Sequence, residues 1–218
     1  MTRTESWGRR RLLGAALAAV LSCAACGADA PAEPSDPPAT GTPPAVRFTS
    51  SVESRGQALH IRYELVNESG GELIVLNRVP AHSASGAPVT DPGAVYVTGA
   101  GPKGRVEIAK RAFAMPVTDK KTWAQPAQIS GVTVRPGRAV SEELTVPLPL
   151  HRHHPYGDDY GDGPISLPDP VTEAVFCVGV LRATDAPSAG AEAAVVTLPH
   201  LSSTTRVQYL SCSPPARW

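Results

Sequence analysis

An all-β fold is the class this sequence predicts: an antiparallel β-sandwich of about nine strands, carried behind a disordered tether. Three observations predict it. Leu59, Ile61, Tyr63 and Leu65 alternate with His60, Arg62 and Glu64, the period-two pattern of a half-buried strand. Short segments rich in β-branched residues recur along the chain between turns that carry Gly, Pro, Asn or Asp. Behind the N-terminal region no stretch sustains a helical period.

In order, Val46, Phe48 and Val52 suggest a first strand, and residues 59–66 form the second. Asn67-Glu-Ser-Gly-Gly71 is turn chemistry, after which residues 72–77 restart as a strand, so the pair reads as a hairpin or a sandwich corner. Residues 94–97 and 105–108 read as a pair around Gly101-Pro-Lys-Gly104. Val134-Arg-Pro-Gly137 is a turn. After it, Leu144, Val146, Leu148 and Leu150 alternate with Thr145, Pro147 and Pro149, and the two prolines suit an edge strand because they remove donors on one side. Residues 174–181, 193–198 and 206–210 complete the set. The order of alternating strand, Asn-x-Ser-Gly turn, strand, Arg-Pro-Gly turn and strand resembles the immunoglobulin-like domains of bacterial envelope proteins in general. The core Trp and paired cysteines of antibody domains have no match here.

The first residues carry a different signal. Arg9, Arg10 and Arg11 precede an apolar run of eleven residues, Leu12 to Ser22. A spanning helix needs about 20. A basic start, a short apolar core and small residues at its end are the layout of an export signal over residues 1–22. Cys23-Ala-Ala-Cys26 is a C-x-x-C pair, but it sits at the end of that signal rather than beside a βαβ pattern, so redox chemistry is not its reading. Val20-Leu-Ser-Cys23 resembles the lipobox of bacterial lipoproteins, as does Cys23-Ala-Ala-Cys26. The resemblance implies a diacylglycerol-bearing thiol at Cys23, with Cys26 as the alternative acceptor, and attachment to a membrane outside the cytoplasm. Two or three acyl chains, which the family implies, hold far more firmly than a single one. If the cell has two membranes, neither Ala24 nor Gly27 is the inner-retention aspartate of that family, which points to the outer membrane. Gly8-Arg-Arg-Arg-Leu-Leu13 also resembles a twin-arginine export signal, and an ordinary secretory signal cut nearby is the plain alternative.

Residues 23–45 hold the lipidated cysteine and a tether. Six of the nineteen residues 27–45 are proline, and none is an aliphatic larger than alanine. Such a segment cannot offset the entropy of ordering. It reaches roughly 25 Å as a coil and about 60 Å in polyproline II. Residues 46–213 are the β-domain and 214–218 a C-terminal tail. The whole chain has 20 basic and 20 acidic side chains, and the first 22 residues carry four of the arginines and one glutamate. The remainder is slightly acidic and lacks the basic patch that nucleic acid requires.

Cys177 and Cys212 both fall in predicted strands of an exported chain, where disulfides persist. A bridge closing about 36 residues is worth roughly 3–4 kcal/mol in the chain-entropy model. Two buried thiols or a metal pair are the other readings. The densest polar stretch is His151-Arg-His-His-Pro-Tyr-Gly-Asp-Asp-Tyr-Gly-Asp-Gly163. In an extended chain His151 and His153 share a face, and a metal bound there would take a third ligand such as His82 or His200. Asp158 and Asp162 supply the carboxylates a calcium ion prefers. Against the calcium-loop pattern, however, Tyr160 takes a ligand position, Asp169 replaces the terminal Glu, and Pro164 and Pro168 stiffen the interior. The bland reading is a solvated loop.

Glu142-Glu143 reads as a solvated strand start whose members point to opposite faces. Trp123 reads as a core plug or an exposed contact, and Asn67-Glu-Ser69 fits a glycosylation pattern that a bacterial lipoprotein would not use. No G-x-S-x-G, H-E-x-x-H, P-loop or dinucleotide fingerprint occurs. The expectation is therefore a lipid-anchored, non-catalytic binding or structural module without a cofactor, with an envelope protein or small ligand as partner. A metal-binding envelope protein using residues 151–163 is the alternative, and a hydrolase without a known motif is a third class.

Overall fold

A computed structural model of the protein describes residues 33–82, 88–91, 93–101, 104–186 and 194–218. The predicted signal and both candidate lipid acceptors, Cys23 and Cys26, lie outside the described residues. Thirteen strands, one short α-helix and a single 3-10 turn (Ala183–Asp185) occur among them. The first seven strands are β1 (Val46–Arg55), β2 (Ala58–Asn67), β3 (Leu73–Arg78), β4 (Pro80–His82), β5 (Pro88–Thr90), β6 (Tyr96–Gly99) and β7 (Arg105–Lys110). The rest are β8 (Gln128–Val134), β9 (Ala139–Pro147), β10 (Glu173–Arg182), β11 (Val195–Pro199), helix α1 (Ser202–Val207), β12 (Tyr209–Cys212) and β13 (Ala216–Arg217). Among the described residues no helix is long and apolar enough to cross a membrane.

The strands form a three-stranded antiparallel sheet, β1-β2-β9, an eight-stranded sheet and a small β4-β5 ribbon. The alternation of residues 59–66 does what its period requires. Leu59, Ile61, Tyr63 and Leu65 point into a core shared with Leu144 and Val146 of β9 and with Val75, Ile108, Phe176 and Val180 of the larger sheet. The larger sheet is buried on its other face too, where Ile74, Leu76, Ala109, Ile129, Leu181 and Leu198 form a second cluster. Burial on both faces explains why β3 (LIVLNR) and β10 (EAVFCVGVLR) read as near-continuous apolar runs.

Strand β10 is the hub. β7 pairs with Glu173–Val178 in parallel, and β3 pairs with Gly179–Arg182 antiparallel. β12 pairs with Cys177–Val180 and β13 with Glu173 and Ala174. A strand has two edges. Since Cys177 and Val178 face both β7 and β12, and Gly179 and Val180 face both β12 and β3, β7 and β3 must follow one another along a single edge. Continuing the β3 register one residue further would place Asn77 opposite Val178, where Lys110 already stands. The ladder between β3 and β8 shifts register in that same stretch, between Val75 and Arg78.

Several expectations need correction. The larger sheet is mixed, because β7 and β10 run parallel, so the fold is not wholly antiparallel. Of the two readings of residues 67–71, hairpin or sandwich corner, the structure takes the corner, since β2 and β3 belong to different sheets. Asn67 holds that corner: its Nδ2 donates to Gly71 O and Val134 O at 2.8 Å each, and its carbonyl accepts from the Gly137 N–H. Residues 128–134, which read as no element, form β8. Residues 206–210 are split between the end of α1 and the start of β12. The tail 214–218 contributes β13, tied down by Arg217 Nε to Glu173 Oε2 at 2.8 Å. β9 is an edge strand, as its prolines suggested.

The segment 33–45, read as tether, lies along the domain. Glu33 and Asp36 pair with Arg152 and Arg111, Thr40 donates its N–H to Arg206 O, and Pro44 is buried. Composition predicts disorder here because the segment has no aliphatic side chain larger than alanine to bury. Two carboxylates with distant arginine partners supply what apolar area does not.

Candidate functional site

The sequence-selected polar loop is built into the fold, and its residues are dispersed. Arg152 organises it. The guanidinium is 5% exposed and grips Glu33 with two bonds, Nε to Oε1 at 2.7 Å and Nη2 to Oε2 at 2.8 Å. It also donates to Asp158 Oδ1 and Gly157 O at 2.7 Å each, and to the Tyr160 hydroxyl at 3.0 Å. Asp162 pairs with Lys120. His153 places Nδ1 2.7 Å from Val95 O and bridges its backbone to Val97, while His151 is exposed. Among the described residues, no three His, Cys, Asp or Glu side chains converge as a metal group, and His151, His153, Asp158 and Asp162 do not form one.

The two remaining histidines of the region are interior. His200 is fully buried. Its Nδ1 accepts the Phe113 N–H at 2.9 Å, and its Nε2 lies 2.9 Å from the Tyr96 hydroxyl. A backbone N–H can only donate, so the ring proton sits on Nε2. His154 Nδ1 accepts from the Tyr156 N–H at 3.2 Å and the Tyr160 hydroxyl at 2.7 Å. Burial lowers both rings to about 3, with the Arg111 charge adding to the effect at His200 and the Arg152 charge at His154. Both are neutral near pH 7. Burial likewise pushes the Tyr160 hydroxyl up to about 12, so it stays a donor to His154. Trp123 packs edge-on against Tyr156 and Tyr160, at ring-centroid separations of 5.3 and 5.9 Å, and is half-buried beside a small cluster with Ile165.

Cys177 and Cys212 are directly opposed on β10 and β12 and form a disulfide, with Cα atoms 4.1 Å apart.

A polar network escaped the sequence reading. Lys110 is the largest fully buried side chain, and its Nζ lies 2.8 Å from Glu142 Oε2 and 3.1 Å from Asn77 O. Glu142 Oε2 also accepts from the Tyr63 hydroxyl at 2.8 Å, and Oε1 accepts from Asn77 Nδ2 at 2.8 Å. Asn77 Oδ1 is buried with no hydrogen-bond partner among the described residues. Burial, with the Glu142 charge second, raises the Tyr63 hydroxyl far above its ordinary range. Glu142 and Glu143 do point to opposite faces, but only Glu143 is solvated, paired with Arg62 at 2.9 Å. Glu142 is turned inward.

A signal for this network was present in the sequence. Leu73, Val75 and Asn77 share one parity, as do Val106, Ile108 and Lys110, and Val140, Glu142, Leu144 and Val146. Each polar residue falls where its strand faces the core.

On the three-stranded sheet a groove of about 530 Å³ is lined by Thr49, Ser51, Arg62, Glu64, Ser141 and Glu143, with Ser50, Tyr63 and Glu142 completing it. Its accessible side chains are hydroxyls, carboxylates and one guanidinium, a lining that hydrogen-bonds to polar ligands.

Compared with models of protein families, with curated proteins and with solved structures, the chain matches none.

Proposed function

We propose that the protein is a lipid-anchored envelope protein whose β-domain is a non-catalytic binding module of immunoglobulin-like type, recognising a polar ligand or partner on the outer face of its three-stranded sheet. The observation that carries this reading is the groove on β1, β2 and β9, which is lined by Arg62, Glu64, Glu143 and three hydroxyl residues, Thr49, Ser51 and Ser141. The Cys177–Cys212 bridge supports residence outside the cytosol, where disulfides persist. The signal-like first 22 residues and the lipobox-like cysteines support the anchor. The ion pairs of the strap 33–45 go to Arg111 and Arg152, neither of which lines the groove.

Two measurements test the reading. With serine at both Cys23 and Cys26, the full chain leaves washed envelopes and appears in the soluble fraction; retention equal to wild type overturns the anchor. A photo-crosslinker at Ser51 captures a partner on intact cells, and capture is lost in the Arg62→Glu variant. Capture unchanged by Arg62→Glu overturns the groove.

A further inference from the structure

We propose that Lys110 and Asn77 become joined by an amide bond between their side chains, with Glu142 as the proton carrier. The three groups needed for that reaction meet at one place. The Lys110 amine is fully buried, and a single carboxylate bridges it to the Asn77 carboxamide, Oε2 to Nζ and Oε1 to Nδ2, both at 2.8 Å. The amine also lies 3.1 Å from the backbone oxygen of Asn77 itself. Holding an amine and a carboxamide on the two oxygens of one carboxylate supplies part of the entropy that bringing them together costs. The Lys110 end of the site is fully buried, which keeps water away from the amine.

The step balances without any co-reactant. A proton passes from the Lys110 ammonium to the Glu142 carboxylate, and the neutral Nζ attacks Asn77 Cγ. The amide group of Asn77 presents oxygen or nitrogen to Glu142 after a half turn, so the protonated acid can donate to Oδ1, which is otherwise without a partner among the described residues. The Nζ–Cγ bond forms and the Cγ–Nδ2 bond breaks. Nδ2 takes the protons released by Nζ and by Glu142 and departs as ammonium, and Glu142 returns to its carboxylate. Glu142 is 18% exposed, which gives the ion a way out. Tyr63 holds Glu142 Oε2 in place throughout.

The bond has a structural purpose. β3 and β7 follow one another along one edge of β10, and at Val178 the two strands compete for one register position. No ladder joins them there. An amide between Asn77 and Lys110 ties the end of β3 to the end of β7 at that break.

The test is a tryptic digest of the full chain purified from its host, denatured and reduced. The expected product is a branched species of residues 63–78 joined to 106–111, lighter than the two peptides together by one ammonia, about 17 Da. Linear peptides carrying unmodified Asn77 and Lys110 in full yield overturn the proposal. Ammonia loss confined to a linear peptide, which marks a cyclised asparagine, overturns it too. The wild-type digest decides the bond whether or not any variant folds. Glu142→Gln, with a near-UV circular dichroism spectrum like wild type, returns the linear peptides; a branched peptide at wild-type yield removes Glu142 from the reaction.

Discussion

Glu33 and Arg152 stand 119 residues apart in the chain and meet in a two-bond ion pair, Nε to Oε1 at 2.7 Å and Nη2 to Oε2 at 2.8 Å. With Asp36 on Arg111, this pair turns part of a proline-rich tether into a strap. The two ion pairs fix where Glu33 and Asp36 lie on the domain.

Glu33→Gln therefore loosens the strap while leaving the sheets intact. The guanidinium loses a charged acceptor in a site 5% exposed, at a cost of about 1–3 kcal/mol. Hydrogen exchange over residues 33–45 should accelerate while β2 amides keep their protection. Equal exchange in both proteins would mean that other contacts hold the segment.

Acid should destabilise the domain well above the range where carboxylates titrate. His154 and His200 are held at about 3 in the folded protein, against about 6.5 for an ordinary imidazole. Between those limits the unfolded chain binds more protons than the folded one, so stability rises with pH. The contribution is complete above 6.5 and is lost progressively as pH falls toward 3. At pH 5 each ring costs about 2 kcal/mol relative to neutrality. Urea midpoints at pH 7 and pH 5 measure the sum, and His154→Gln should remove about half of the difference.

Reducing the Cys177–Cys212 bridge should cost roughly 3–4 kcal/mol in the chain-entropy model. β12 is short, four residues, and the disulfide sits at its end beside β13. The double Cys→Ser variant should show a lower urea midpoint and early exchange at residues 209–217. A midpoint equal to wild type would contradict the claim that the bridge staples the C-terminal strands.

Gly131→Ala should destabilise by about 1–3 kcal/mol. A Cβ at that position would stand 2.5 Å from Val75 O, a backbone atom of the neighbouring strand that has no side-chain freedom to yield. The shift falls in the ladder between β8 and β3, where the register is already irregular. Thermal denaturation of the variant measures it, and an unchanged midpoint would show that the two strands separate freely.

Much of the architecture was legible because strands advertise themselves by period. Residues 59–66 alternate, and the structure buries that alternation. The doubly buried β3 and β10 read as continuous apolar runs, and the prolines of residues 144–150 marked an edge. β8 was missed because its QISGVTV segment mixes polar and small residues and carries Gly131, whose missing side chain is what lets β3 approach. The parallel pairing of β7 and β10 was missed because a strand pattern records which face is buried and says nothing of direction.

By itself the sequence determined the all-β class and the cysteine pair that the fold brings together. These depend on local period and on composition, both of which are written along the chain. Only the tertiary structure decided that Glu33 meets Arg152, that His154 and His200 are interior, and that Asn77, Lys110 and Glu142 share one buried site. Each of those contacts joins residues far apart in the chain, and their chemistry comes from the water that packing excludes and from the distances that strand register sets.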